Sequence, residues 1–205
     1  MPEPHHCPSC GAPLRIPSRY VKVVACEFCG TVSLFDGARL DPTGRSAGLA
    51  ELPSALYVDA TGTIAERPFR VLGRLMLEYD GGVWNEWFLD LGDAGRAWLV
   101  EDEGEFTVMQ EEETASVPPF ESVAPGETVQ IGGRDVFVRE VGEATVVGGE
   151  GRLGAEILPG EVIGYVDGSA DGREVSVEYG ERVTEVFVGQ AVPRAALVID
   201  EEVYG

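Results

Sequence analysis

Cys7-Pro8-Ser9-Cys10-Gly11 and Cys26-Glu27-Phe28-Cys29-Gly30 contain all four cysteines of the chain, as two C-x-x-C pairs with fifteen residues between them. This is the spacing of a four-cysteine zinc site. Two such pairs supply four thiolates and close a tetrahedron, leaving no position for water or substrate, so the ion is expected to be structural. Gly11 and Gly30 suit the positive φ of a tight knuckle, in which backbone N–H groups turn toward the sulfurs. Zinc is the expected ion, with iron its rival for four sulfurs. The competing readings are two disulfides or four unrelated buried thiols. Disulfides need an oxidising compartment, and Met1-Pro2-Glu3-Pro4-His5-His6 has no apolar export segment, so a cytoplasmic location is expected. His5 and His6 adjoin Cys7, but four sulfurs already fill the site and leave them a minor role.

Working outward, Tyr20-Val21-Lys22-Val23-Val24 and Thr31-Val32-Ser33-Leu34-Phe35 read as two short strands. With the knuckles they make a zinc ribbon over residues 1–35. So small a unit buries too little surface to fold alone, and metal binding supplies the deficit, about 10–16 kcal/mol in small zinc peptides. Chelation is therefore expected to unfold the ribbon and spare the rest. Residues 36–54 show no sustained periodicity and read as a linker, with one helical turn considered near Leu49–Leu52.

After residue 54 the pattern is β throughout. Strands are expected over residues 55–60, 69–79, 83–91, 96–100 and 105–110, making a first β unit at 55–113. Asp80-Gly81-Gly82 signals a hairpin, and Gly73 a bulge inside the longest strand. Glu111-Glu112-Glu113, Val117-Pro118-Pro119 and Pro125-Gly126 mark a boundary, read as a second linker at 114–126. The style then repeats over 127–205, with strands expected at 128–131, 135–141, 144–147, 162–166, 174–179 and 183–188. Residues 193–199 read as a final strand or one helical turn. Phe69-Arg70-Val71-Leu72-Gly73-Arg74 resembles Val138-Arg139-Glu140-Val141-Gly142-Glu143, a hint of duplication. The expected fold is mainly β: a zinc ribbon, then two small barrel- or sandwich-like units.

Charge narrows the partners. The net charge is −21, and its distribution is uneven. Residues 1–50 carry five Lys/Arg against four Asp/Glu, and the remainder carries ten Arg against 32 acids. Such a body repels phosphates, which disfavours nucleic acid. Arg15, Arg19 and Lys22 between the knuckles keep a nucleic-acid-associated ribbon as an alternative, although four thiolates on Zn²⁺ carry −2 and these cations balance them. No apolar run is long enough to span a bilayer. Lys22 is the only lysine.

Trp84-Asn85-Glu86-Trp87 is the most unusual tetrapeptide. On a strand, Trp84 and Glu86 share one face while Asn85 and Trp87 share the other. Read structurally, the indoles fill a core and Glu86 pairs with Arg70 or Arg74. Read functionally, Trp84, Glu86 and Trp87 form an aromatic and acidic patch for a partner, a sugar ring or a cation such as a polyamine. A Glu beside Trp can also take a raised pKa and act as an acid, which keeps a Glu86-based hydrolase in view. Gly149-Glu150-Gly151-Arg152-Leu153-Gly154 fits G-x-G-x-x-G, but Pro159 stops any helix that would follow, so it reads as a glycine-rich turn and not a nucleotide site. With both histidines near residue 5 and every cysteine in the ribbon, an enzyme is not expected.

The ribbon Cys-Pro-Ser-Cys-Gly … Cys-Glu-Phe-Cys-Gly is followed by Phe69-Arg70-Val71-Leu72-Gly73-Arg74-Leu75 and Trp84-Asn85-Glu86-Trp87. Then come Ala97-Trp98-Leu99-Val100-Glu101-Asp102-Glu103-Gly104 and Glu185-Val186-Phe187-Val188-Gly189. In these pieces the chain resembles bacterial proteins in which a zinc ribbon precedes domain of unknown function 4178. The resemblance implies a β-rich body and a cytoplasmic bacterial protein, and brings no catalytic residues. It implies gene neighbourhoods of polyamine-biosynthesis-like enzymes and membrane-stress components. The expected function is a non-enzymatic adaptor that binds a protein partner through its acidic body. The alternative is a protein that binds a small, polyamine-like cation around Trp84–Trp87.

Overall fold

The computed structural model describes residues 5–47, 54–113 and 116–200; the helical turn considered at Leu49–Leu52 lies outside them. The ribbon comprises β1 (His5–His6), β2 (Pro13–Leu14), β3 (Val23–Ala25), β4 (Thr31–Phe35) and β5 (Leu40–Ser46). β5 lies in the stretch read as a linker. It is an edge strand paired only to β4, where Pro42 needs no partner for its missing N–H.

The body opens with β6 (Thr61–Ile64), where a strand was expected six residues earlier. Residues 54–60 instead make turns, with Asp59 at φ 69°. Then come β7 (Arg67–Tyr79), β8 (Gly82–Asp90), β9 (Arg96–Asp102) and β10 (Glu105–Glu111). A crossing segment carries β11 (Thr128–Ile131). It leads into β12 (Arg134–Leu153), β13 (Val162–Ala170), β14 (Arg173–Tyr179) and β15 (Thr184–Val192), with β16 (Leu197–Ile199) last. The two strands expected at 135–141 and 144–147 are one, and it runs on through the glycine-rich stretch expected as a turn. No described helix is long and apolar enough to cross a membrane.

The fold is mainly β, and its centre is a closed barrel. β7 to β10 form one antiparallel meander and β12 to β15 another. β10 pairs β15 and β12 pairs β7, so the two stretches expected as separate units give four strands each to one eight-stranded ring. Phe69–Arg74 and Val138–Glu143, the similar hexapeptides, lie on the first strand of each meander. Closure depends on glycine. A Cβ on Gly73 would stand 2.5 Å from the carbonyl oxygen of Arg152, and the register shifts between Val71 and Gly73 as a bulge.

Strand alternation sorts the side chains. Outward residues of β7 to β10, among them Val71, Trp87, Leu89 and Leu99, bury against Leu56, Ala60, Ile64 and Leu197. Outward residues of β12 to β15, among them Val138, Val166, Val177 and Val186, bury against Val123 and Ile131 of the crossing segment. The apolar set thus faces out under a second layer, and the alternating polar set of β13 and β14 faces into the barrel. One end of the barrel is filled by Leu75, Leu77, Phe88, Ala144 and Val146, which share a single buried cluster with Val21, Val23 and Val24 of the ribbon. β3 also pairs β12 at Val23↔Leu153 and Val24↔Arg152. The shared cluster joins the ribbon to the barrel, where the sequence suggested two independent modules.

Candidate functional site

Two sites emerge. The first is the cysteine cluster. Each knuckle is a tight turn in which Gly11 N–H bonds Cys7 O at 2.9 Å and Gly30 N–H bonds Cys26 O at 2.8 Å. Both glycines have positive φ, 75° and 71°. The N–H groups of Phe28 and Cys29 turn toward Cys26 Sγ, and that of Ala12 toward Cys10 Sγ. All four sulfurs lie within 4.8 Å of one another, with Cys7–Cys29 at 3.7 Å and Cys10–Cys26 at 3.8 Å. Ligands about 2.3 Å from one zinc ion stand about 3.8 Å apart along the edges of a tetrahedron. The donor set therefore fits one metal ion held by all four sulfurs. His5 packs on Phe35 at 5.0 Å and His6 sits by Gly11 O, so neither belongs to the cluster.

The second site is a cavity of about 180 Å³ inside the barrel, with lining from all eight of its strands. Six carboxylates line it: Glu86, Asp102, Glu140, Asp167, Glu174 and Glu178. Among the described residues its only lining cation is Arg139, which is already ion-paired with Glu174. Five aromatic rings also line it, with Tyr79, Trp84 and Tyr165 in edge-to-face sequence at 5.2 and 5.6 Å. The exposed lining residues, Arg139 and Glu140, lie toward the end that carries the β7–β8, β9–β10 and β13–β14 turns, so the cavity opens there. The apolar plug and the ribbon close the other end.

Alternation decides the fate of the tetrapeptide. Trp84 and Glu86 point into the cavity, and Trp84 Nε1 donates to Glu86 Oε1 at 2.8 Å. Trp87 points outward and is 1% exposed, its Nε1 bonded to Glu101 at 2.9 Å and its ring under Arg74. Trp87 is thus a core residue, not a binding one. Arg74 bonds Asn85 and leaves Glu86 to the cavity. Asp167, Glu178 and Tyr165 were missed as site residues. They stand at the polar positions of strands that read as half-wet, and only barrel closure turns that face inward.

The cavity is electrostatically loaded. Burial pushes Glu86 up to about 7; the bond from Trp84 works against this rise, and Asp167 and Glu185 add to it. Burial lifts Asp167 to about 6 against its bond with Ser176, with Glu140 adding and Arg139 opposing. Glu178 is raised well above the carboxylate range by burial and then by Glu86, Glu185 and Asp167. Like charges in a poorly solvated space hold protons that exposed carboxyls would release. Glu185 pairs with Glu178 in register, is itself 6% exposed, and leaves Oε2 buried without a hydrogen-bond partner. Such a deficit is relieved by protons or by a bound cation.

Neither a curated protein nor a solved structure matches the chain. Residues 58–194 match the model of the family described as "Domain of unknown function (DUF4178)", a span of more than half the chain, and the chain therefore belongs to that family.

Proposed function

We propose that the chain binds a small organic cation inside its barrel, with a structural zinc ion in the ribbon. One observation carries this reading: a cavity walled by five aromatic side chains and six carboxylates, with its single guanidinium already paired. Aromatic faces and carboxylates together recognise ammonium groups with attached apolar carbon. Among the described residues only the four cysteines converge closely enough to hold a metal ion. The carboxylates are spread along the lumen, which suits an extended polyamine-like cation better than a divalent ion. The reading is non-enzymatic, since both histidines and all four cysteines sit in the ribbon. Thiolate ligands need a reducing compartment, which supports the cytoplasm.

Calorimetry with spermidine at about 0.15 M salt tests it, because screening at that strength removes loose surface attraction. Saturable heat at one ligand per chain, weakened by Glu178→Gln, is expected. No heat, or heat that salt alone abolishes, would sink it.

Docking of a protein partner is a second reading, favoured by Phe28, which stands 63% exposed between Cys26 and Cys29 at the tip of a knuckle. Phe28→Ala should then abolish recovery of a stoichiometric partner from host lysate while leaving spermidine binding intact. Equal recovery by the variant would remove this reading.

A further inference from the structure

We infer that the ribbon is the stopper of the lumen, and that metal loading of the four cysteines sets the affinity of the cavity for its cation. The inference rests on the cation reading above and adds its regulation.

The link runs through Lys22, which lies between the two cysteine pairs. Its Nζ is 3.6 Å from Glu185 Oε1. Its backbone is fixed on both sides: Lys22 N–H bonds Leu153 O at 2.7 Å, and Lys22 O accepts from Phe35 N–H at 2.7 Å. A primary ammonium on an alkyl stem thus already sits on the carboxylate whose strand neighbour, Glu178, lines the cavity. Lys22 acts as a built-in competitor at the closed end.

Packing supplies the second link. Val21, Val23 and Val24 share one buried cluster with Trp98 and Phe187, and those two rings also line the cavity. A ribbon this small is ordered by its metal. Losing the metal frees Val21 to Val24 from the end of the barrel and admits water beneath Trp98 and Phe187. Water raises the local dielectric, and the attraction between a bound cation and the carboxylates weakens with it.

Two perturbations then act in opposite directions. Stripping the metal with a chelator also frees Lys22 from Glu185, but water entering the lumen outweighs that relief, so spermidine binding should weaken about tenfold, within the usual range of coupling between two sites. Restoring Zn²⁺ should restore it. Lys22→Met keeps the stem and the metal but removes the competing charge, so it should tighten binding about threefold, the scale of a half-exposed ion pair.

The test is calorimetry of spermidine on the loaded, stripped and reloaded full chain and on loaded Lys22→Met. Acrylamide quenching of indole fluorescence is measured without ligand on the same samples. Weaker binding and greater quenching in the stripped protein, with tighter binding in Lys22→Met, support the inference. Equal affinity in the loaded and stripped forms would overturn it and leave the cation reading standing. Binding in none of the samples would overturn both. Quenching unchanged by stripping would show the floor intact and overturn the stopper by itself.

Discussion

Replacing Glu86 with Gln should make the protein more stable, and more so at high pH. Glu86 is 6% exposed and faces other carboxylates across the cavity. Its carboxyl titrates at about 7 in place of an ordinary 4.5. The folded state therefore holds a proton that the unfolded chain has released. This group's contribution is complete below the unfolded value and is lost as pH rises through the folded value, so stability falls across the window from 4.5 to about 7. Raising a pKa by one costs the ionised form about 1.4 kcal/mol, so the cost of ionising Glu86 approaches about 3 kcal/mol above that window. Glu178 and Asp167 titrate with it as a set, so the variant recovers part of that sum. Gln keeps an oxygen to accept from Trp84 and carries no charge. Thermal unfolding of wild type and Glu86→Gln at about pH 5.5 and about pH 8.5 measures the effect. A gain of roughly 5–10 °C at the higher pH, and somewhat less than half of that at the lower, is expected for a chain of this size. Metal loss at low pH affects both proteins alike and cancels in the comparison. A variant no more stable at high pH, or stabilised equally at both, would refute the reasoning.

Other perturbations read different parts of the molecule. Glu161→Ala removes a buried carboxylate that accepts from Arg182 at 2.6 and 2.7 Å, lies 3.6 Å from Arg45 of the ribbon and accepts from Leu158 N–H. It should cost about 2 kcal/mol, read as a lower urea midpoint, because both arginines keep partial access to water. Gly73→Ala puts a methyl 2.5 Å from a backbone carbonyl where β7 meets β12, and should cost about 3 kcal/mol or leave the protein insoluble. Trp84→Phe should weaken spermidine binding with little loss of melting temperature. Trp87→Phe should do the reverse, losing about 2 kcal/mol with its bond to Glu101 and its stacking on Arg74 while affinity is kept.

The cysteine knuckles, most strands and the opposed faces of Trp84–Trp87 were legible because each depends on local spacing. β5 was hidden because Asp41-Pro42-Thr43-Gly44 carries turn residues, which an edge strand tolerates. Barrel closure was hidden because the partners of β10 and β12 are set by long-range register, which no local pattern reports. The cavity was hidden for a related reason. Arg173-Glu174-Val175-Ser176-Val177-Glu178 alternates like any strand with one wet face. Here the crossing segment covers the apolar face from outside, and the polar face becomes the lumen.

The most direct test is to count the protons released when spermidine binds near pH 7, by calorimetry in two buffers of different ionisation heat. A cation entering the lumen must ionise carboxyls that are still partly protonated there, Glu86 at about 7 and Glu178, which burial and its acidic neighbours raise well above its ordinary value, so about one proton should leave per ligand bound. A cation held on the outer acidic surface would meet carboxylates that are already ionised. Binding with no proton released would place the cation outside the barrel and contradict the account.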